Sequence, residues 1–336
     1  VVRKITGRAA VLVAPGSVAV QEVAVPEPAD GEILTRNLAA SICHGDVCRI
    51  FEWRWPSLGF GAHPYPCLAG YPGHEGVAEI MVSRSPAFEA GQLVLTVSDG
   101  TYDRMFADYQ VLPGRCALPV DPEQVPVHVL MAQQLGSVVH ALRRFWPWEE
   151  GGRTAVVVGT CSAGLLFVRM LKYLGFTRVV AVDREPDRLA LATNFGADAT
   201  ALVTADARGE AVRALTDGEN TDLAVDASGT GWGRRIALAA ASRDGQVGLY
   251  GASKDDAAAV LRGPFHQGRV TAIGVDEARR EPSLGPFAEA LRLIQDGHIT
   301  AREHVTHLFE FEEIAEALAI ARDRDDGVVK VGITFD

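Results

Sequence analysis

The spacing of apolar and polar residues divides the chain into two textures. Up to about residue 127 the apolar runs are short and strand-like: "AAVLVA" (9–14), "VAVQEVAV" (18–25), "EILTRNLAAS" (32–41), "GVAEIMVS" (76–83), "QLVLTV" (92–97) and "FADYQVL" (106–112). Pro and Gly stand between them and few stretches keep a helical period, the pattern of an irregular β domain. Pro15-Gly16 between the first two runs predicts a β-hairpin. From about Val129 the pattern changes. "MAQQLGSVVHALRRF" (131–145) has helical spacing, "TAVVVG" (154–159) reads as a strand buried on both faces, and "AGLLFVRMLKYLG" (163–175) as a helix. "RVVAVD" (178–183), "EPDRLALATNFGA" (185–197), "TDLAVDAS" (221–228), "GRRIALAAA" (233–241) and "GQVGLYGAS" (245–253) continue as strand, helix, strand, helix, strand. Such alternation predicts an α/β doubly wound parallel sheet. Two amphipathic helices, "GPFAEALRLIQDGHI" (285–299) and "FEEIAEALAIARD" (311–323), and a closing strand "VVKVGITF" (328–335) end the chain.

Bulk composition narrows the classes. The 336 residues suffice for two domains, each with its own core, and 48% hydrophobic with 22% charged residues is globular composition. A net charge of −11 without a Lys/Arg cluster argues against nucleic acid or an anionic membrane as partner. Five cysteines, an odd number with no C-x-x-C pair, argue against a disulfide framework and for a reducing cytoplasm. The start is basic and then apolar like a signal peptide, but its apolar core spans only six residues. No apolar run approaches the ~20 residues of a membrane span.

The strand–turn–helix–strand unit 155–183 ends in an acid, which points to a dinucleotide. The fingerprint G-x-G-x-x-G reads here Gly159-Thr160-Cys161-Ser162-Ala163-Gly164. The outer glycines are present. Cys161 replaces the middle one, whose role is to let backbone amides approach a pyrophosphate at the helix N-terminus; a thiol this small fits with a slight shift of the cofactor. Asp183, nineteen residues past Gly164, is placed to accept hydrogen bonds from ribose hydroxyls and to repel a 2′-phosphate. That favours NAD over NADP, while Arg184 beside it keeps NADP open. Arg188 is within reach of the ribose region, and Asp226 and Ser228 end the fourth strand beside the cofactor cleft. A hydrolase nucleophile elbow, G-x-S-x-G, fails because Thr160 occupies its first glycine.

The second constellation is "ICHGDVCRIFEWRW" (42–55), with Cys43, His44, Asp46 and Cys48 within six residues. Thirty-one residues beyond Cys43, "GYPGHEGVAEI" brings His74 and Glu75 between two glycines. A thiolate and an imidazole from adjoining loops, with a nearby carboxylate, make a catalytic Zn²⁺ site with an open position for substrate. Asp46 is placed to orient His74 from behind.

These segments, with "RAAVLVAPGSVAVQEVAVPEPADGEILTRNLAASICHGD", "GHITAREHVTHLFEFEEIAEALAIA" and "GVVKVGITF", occur in the order found in the medium-chain dehydrogenase/reductase superfamily. The chain resembles its zinc-dependent alcohol and polyol dehydrogenase branch over nearly its whole length. The resemblance implies a GroES-like β-rich catalytic domain (1–134), a Rossmann coenzyme-binding domain (135–274) and a C-terminal return to the catalytic domain (275–336). It implies Cys43 and His74 as zinc ligands and Glu75 as the acid that sits behind the metal or ligates it. His44 matches a position that contacts cofactor phosphate. The third ligand of the family, a Cys, Glu or Asp, is matched by Gln133 in "MAQQLGSVVHAL", and a neutral amide is a poor Zn²⁺ ligand. Gly45 and Cys48 replace the hydroxyl and histidine of the family's proton relay, so another group, solvent or the substrate must exchange that proton. "SDGTYDRMFADY" lacks the cysteines of a structural zinc lobe, which leaves at most one metal per chain. A homodimer through sheet edges of the coenzyme domains is also implied.

The reading is an NAD-dependent, cytoplasmic zinc dehydrogenase of a secondary alcohol, polyol, sugar-like or a biosynthetic intermediate, with the alcohol/ketone pair as small-molecule partner. Zn²⁺ serves as Lewis acid, hydride passes to the nicotinamide, and Cys43, His74, Glu75 and Asp46 carry the chemistry. One alternative is a zinc-free reductase or non-redox enzyme on the same scaffold; another is a nucleotide-binding protein without turnover. The remaining candidates have plainer readings. Cys48 and Cys67 are small buried hydrophobes; His63 and Tyr65 are packing or surface residues; Trp53, Trp55 and Phe60 line a pocket or pack their loop. His140 is helix packing, His298, His304 and His307 belong to a surface turn and the start of a strand, and Lys330 serves cofactor phosphate or the surface.

Overall fold

The computed structural model describes residues 5–52, 65–148, 150–204, 216, 221–242, 244–251, 270–275, 277–324 and 327–335. Trp53, Trp55, Phe60 and His63 lie outside them. The chain divides into two compact units, residues 1–134 with 279–336, and residues 135–278.

The first unit opens with the hairpin β1 (Thr6–Ala14) and β2 (Ser17–Ala24), turned at Pro15 and Gly16. Then come β3 (Glu32–Ile42), the short helix α1 (His44–Val47), β4 (Glu75–Ser83), β5 (Leu93–Val97), β6 (Tyr109–Pro113), β7 (Ala117–Pro119) and the short helix α2 (Pro126–Val129). Helix α3 (Ala132–Phe145) leads into the second unit.

In the second unit the strands are β8 (Thr154–Val158), β9 (Arg178–Asp183), β10 (Ala199–Leu202), β11 (Leu223–Asp226), β12 (Gln246–Leu249) and β13 (Thr271–Gly274). Between them lie α4 (Ser162–Tyr173), α5 (Pro186–Asn194) and α6 (Gly231–Ala240). All pairings in this sheet are parallel, in the order β10-β9-β8-β11-β12-β13. This is the doubly wound order of a dinucleotide fold. Its central strand β8, "TAVVV", is buried at every position, as a strand covered on both faces must be. Valines 156, 158, 180 and 182 form a core with Ala224, Ile236 and Val247.

The chain then returns to the first unit with α7 (Gly285–Gln295), β14 (Val305–Glu310), α8 (Ile314–Asp323) and β15 (Lys330–Thr334). Here the sheet runs β14-β15-β3-β4-β5-β7, with β6 also on β3. Apart from the parallel β14–β15 pair it is antiparallel. Helix α8 packs its Ile314, Ala317, Leu318 and Ala321 into the same core as Ile42, Val47, Val331 and Ile333. Among the described residues no helix is long and apolar enough to cross a membrane.

Candidate metal and coenzyme sites

Strand register builds the first site. In the β3–β4 pair Ser41 stands opposite Glu75, and in the β15–β3 pair Val331 stands opposite Ile42. One end of the sheet therefore carries Ser41 and Cys43 from β3 and its exit, His74 and Glu75 from the entry of β4, and Lys330 from the start of β15. The ligand atoms of Cys43, His74 and Glu75 all lie within 4.8 Å of one another.

Asp46 ties two of these groups together. Its Oδ2 accepts the Cys43 backbone N–H at 2.9 Å, closing the first turn of α1, and its Oδ1 lies 2.8 Å from His74 Nδ1. With Nδ1 held there, Nε2 is the nitrogen left for a ligand. Burial disfavours a charged imidazole, but the Asp46 charge and hydrogen bond, with Cys43, outweigh it and hold His74 well above the ordinary histidine range.

Glu75 is buried, and burial alone would raise its pKa. The charges of Lys330 and His74 and hydrogen bonds from Lys330 and Ser41 reverse this and hold the carboxyl below its usual value. Lys330 Nζ is 2.5 Å from Glu75 Oε2, and Ser41 Oγ donates to the same oxygen. Lys330 is itself buried; the Glu75 and Cys43 charges overcome that burial and raise its pKa. Expected at cofactor phosphate or on the surface, Lys330 is instead the buried counter-ion of Glu75. The signal was present: one lysine in the otherwise apolar run "VVKVGITF" must bury its ammonium against an anion. His304 likewise departs from the expected surface turn and is fully buried.

Thiolate, imidazole and carboxylate at this separation are the donor types that hold Zn²⁺, so the residues fit such an ion. Gln133 is buried in the first turn of α3 and offers only an amide. His44 is exposed, with Nε2 3.5 Å from the buried Cys48 Sγ. Cys67 and His140 are buried, as read from the sequence, while His298 is exposed and His307 half-buried.

A second charged group adjoins these residues and was missed in the sequence. Asp103 is 2% exposed and accepts from Arg49 Nη1 at 3.0 Å and from Arg279 Nη1 at 3.5 Å. Burial raises its pKa, but the charges of His74, Arg279 and Arg49 and a Ser98 hydrogen bond lower it below the ordinary value.

The coenzyme turn lies in the second unit. Gly159 has φ +90°, and a Cβ there would meet Ser228 at 2.7 Å. At Gly164 a Cβ would stand 1.9 Å from the Gly159 carbonyl oxygen, so only glycine lets α4 sit this close to the turn. Cys161 is the N-cap of α4, followed by the buried Ser162 and Ala163, and its thiol points at the Ala227 carbonyl, 3.6 Å away. Asp183 Oδ2 accepts from Thr160 N–H (2.6 Å) and Oγ1 (2.8 Å), and Oδ1 from the N–H groups of Arg184 (2.7 Å) and Glu185 (3.2 Å). Thr160, not singled out in the sequence, therefore locks the phosphate turn to the acid of β9. The exposed Arg184 places its guanidinium 5.5 Å from the Trp232 ring, and Arg188 is half-buried on α5. Ser228 Oγ donates to the buried Asp226 at 2.7 Å; burial raises the pKa of that carboxyl despite Ser228 and Arg234.

A doubly wound coenzyme sheet joined in one chain to a β-rich unit with clustered thiolate, imidazole and carboxylate defines a two-unit dehydrogenase scaffold. The model of the family described as "Zinc-binding dehydrogenase" matches residues 163–296. The chain is similar to the L-threonine 3-dehydrogenase of Bacillus subtilis strain 168, 26% identical over 330 residues that cover 92% of this chain and 93% of the relative. It is also similar to the erythritol/L-threitol dehydrogenase of Mycolicibacterium smegmatis, 24% identical with 94% of each chain covered. In fold it matches galactitol-1-phosphate dehydrogenase from Escherichia coli with a TM-score of 0.85, at 20% identity, over 97% of this chain and 99% of that one. Residues 163–296 thus match the zinc-binding dehydrogenase family, and over more than nine-tenths of its length the chain is similar to the L-threonine and erythritol/L-threitol dehydrogenases.

Proposed function

We propose that this NAD(P)-dependent alcohol dehydrogenase oxidises a secondary alcohol of the polyol or sugar-like kind, with Cys43, His74 and Glu75 holding one Zn²⁺. The convergence of their ligand atoms within 4.8 Å, from chain positions 31 residues apart, carries the reading. The relatives above are named for L-threonine, erythritol or threitol, and galactitol 1-phosphate. All of these are hydroxyl-bearing chains.

Bound there, the ion supplies Lewis acidity that makes a substrate hydroxyl more acidic. The chain's residues do the rest. Asp46 fixes the His74 tautomer and the Cys43 turn, while Lys330 and Ser41 both hold one Glu75 oxygen, Oε2. In the coenzyme unit, which we assign to residues 135–274, the α4 N-terminus receives the pyrophosphate, aided by Ser162, Ala163 and the glycines around Cys161. The Asp183 carboxylate disfavours a 2′-phosphate, which supports NAD as the coenzyme, with Arg184 and Arg188 at the ribose side and Ser228 at the cleft. His44 is assigned to cofactor phosphate. The free cysteines suit a cytoplasmic enzyme, and the family's usual homodimer is the expected assembly.

The test is metal analysis of the purified protein with a screen for alcohol-dependent NADH formation. About one zinc per chain, with turnover lost on chelation and restored by zinc, is expected. A second reading, a zinc-free reductase or non-redox enzyme, draws on Gln133 and on an ammonium already seated against Glu75. Less than about a third of an equivalent of zinc with turnover intact would decide for it. NADH binding without turnover of any kind would leave only a nucleotide-binding protein.

A further inference from the structure

The Asp183 side chain is buried, and its carboxylate already receives four hydrogen bonds from its own chain. Oδ2 accepts from the amide and the hydroxyl of Thr160, and Oδ1 from the amides of Arg184 and Glu185. An ionised carboxylate offers about four lone-pair positions in all. With those positions taken, a ribose hydroxyl brought to this place meets the charge of Asp183 but finds no acceptor on it.

The four bonds run instead to the phosphate turn and to the entry of α5. Gly159 donates its N–H to Val182 O at 2.8 Å and Thr160 donates its own to Asp183, so two successive residues of the turn are fastened to the last two residues of β9. On its other side the turn packs against Ser228, which a Cβ on Gly159 would meet at 2.7 Å. The amides on Oδ1 belong to the two residues just before Pro186, where α5 begins. Cys161, the N-cap of α4, follows Thr160 directly. The Thr160–Asp183 bonds therefore set where the first amides of α4 stand, the groups that meet a pyrophosphate.

We propose that Thr160 and Asp183 form one positioning unit: the acid serves the coenzyme by holding the phosphate turn, and it accepts no hydrogen bond from the adenosine ribose. The preference for NAD then rests on the Asp183 charge facing a 2′-phosphate, with no ribose contact to reinforce it. The proposal rests on the coenzyme reading, and not on the metal or on which alcohol is oxidised.

The test is calorimetric titration of the whole protein with ADP, 2′-deoxy-ADP and 3′-deoxy-ADP, in the wild type, Thr160→Ala, Thr160→Ser, Asp183→Asn and the Thr160→Ala/Asp183→Asn double variant. Circular dichroism checks each fold. Asparagine keeps one oxygen, so one of the two sets of donors loses its acceptor. ADP should bind about tenfold more weakly to Thr160→Ala and at least as much more weakly to Asp183→Asn. The double variant should fall within about threefold of Asp183→Asn, and Thr160→Ser, which restores the hydroxyl, within about threefold of wild type. Removing either ribose hydroxyl should cost the same, within about threefold, in wild type and in Asp183→Asn. A deoxy penalty at least about tenfold larger in wild type than in Asp183→Asn would put the ribose on the acid and overturn the proposal. Losses that simply multiply in the double variant, or no rescue by serine, would overturn it as well. If Asp183→Asn does not fold, the wild type decides: a deoxy penalty within about threefold supports the proposal and one above about tenfold overturns it. Failure of ADP and NADH to bind the wild type overturns the coenzyme reading and this proposal together. Binding with the expected pattern but no alcohol turnover leaves the proposal standing while the dehydrogenase reading falls.

Discussion

Replacing Lys330 by Met removes the buried cation that faces Glu75 and keeps the volume of the stem. Both partners are buried and 2.5 Å apart, and removing one member of such a pair costs about 3–5 kcal/mol because the other is left charged in a dry site. Glu75 keeps the Ser41 hydrogen bond and the nearby His74 charge, which places the cost near the lower end, about 3 kcal/mol. Glu75→Gln should cost a similar amount by stranding the ammonium. The double variant, with neither charge, should return to within about 1 kcal/mol of wild type. The assay is urea unfolding of chelated protein, so that metal binding adds nothing to the folded state.

The pH dependence gives an independent check on sign. In the wild type the folded Glu75 pKa lies below the ordinary one, so its contribution is full above about pH 4.3 and is lost as pH falls through the lower folded value. The folded Lys330 pKa is raised, so its contribution is full below about pH 10.4 and is lost as pH rises through the higher folded value. In Lys330→Met the stranded carboxylate takes up a proton more readily, so the gap to wild type should close toward acid pH. A single variant within about 0.5 kcal/mol of wild type, or a double variant no better than the singles, would refute the coupling.

Asp46→Asn keeps the size but loosens the hold on His74 and on the Cys43 turn; zinc affinity, read by competition with a chromophoric chelator, should fall about 10- to 100-fold. Gly164→Ala puts a Cβ 1.9 Å from the Gly159 carbonyl oxygen, which backbone must move to accommodate, so NADH affinity by fluorescence titration should fall at least about tenfold. Gln133→Glu supplies a charged donor where the family has one, and zinc affinity by the same chelator assay should rise at least about tenfold.

The architecture could be read from the sequence because local patterning and fold agree. "TAVVV" and "RVVAVD" are continuous apolar runs because their sheet is covered on both faces, and the strand order follows from alternating strands and helices. The spacing of Cys43, Asp46, His74 and Glu75 was visible for a similar reason, since each lies within a few residues of the end of a recognisable strand. What escaped depends on register and on distant pairs. Lys330 reaches Glu75 only because β15 lies on β3 and β3 on β4. Arg279 and Asp103 are 176 positions apart, and nothing local to either announces the other. Thr160 looked like filler in a broken fingerprint until its hydroxyl and amide were found on Asp183.

In the metal site proposed above, the residue at position 133 and the buried ammonium at 330 would act on one charge balance. The resemblance implies 133 as the third-ligand position; an anionic residue there would add a negative charge, and a glutamine adds none. Lys330 already offsets Glu75, so the carboxylate cannot fully neutralise an ion and the ammonium together. With an ion bound there, the site would favour a substrate hydroxyl in its deprotonated form. A glutamine at 133 would therefore weaken the hold on the proposed cation, and Gln133→Glu should restore it.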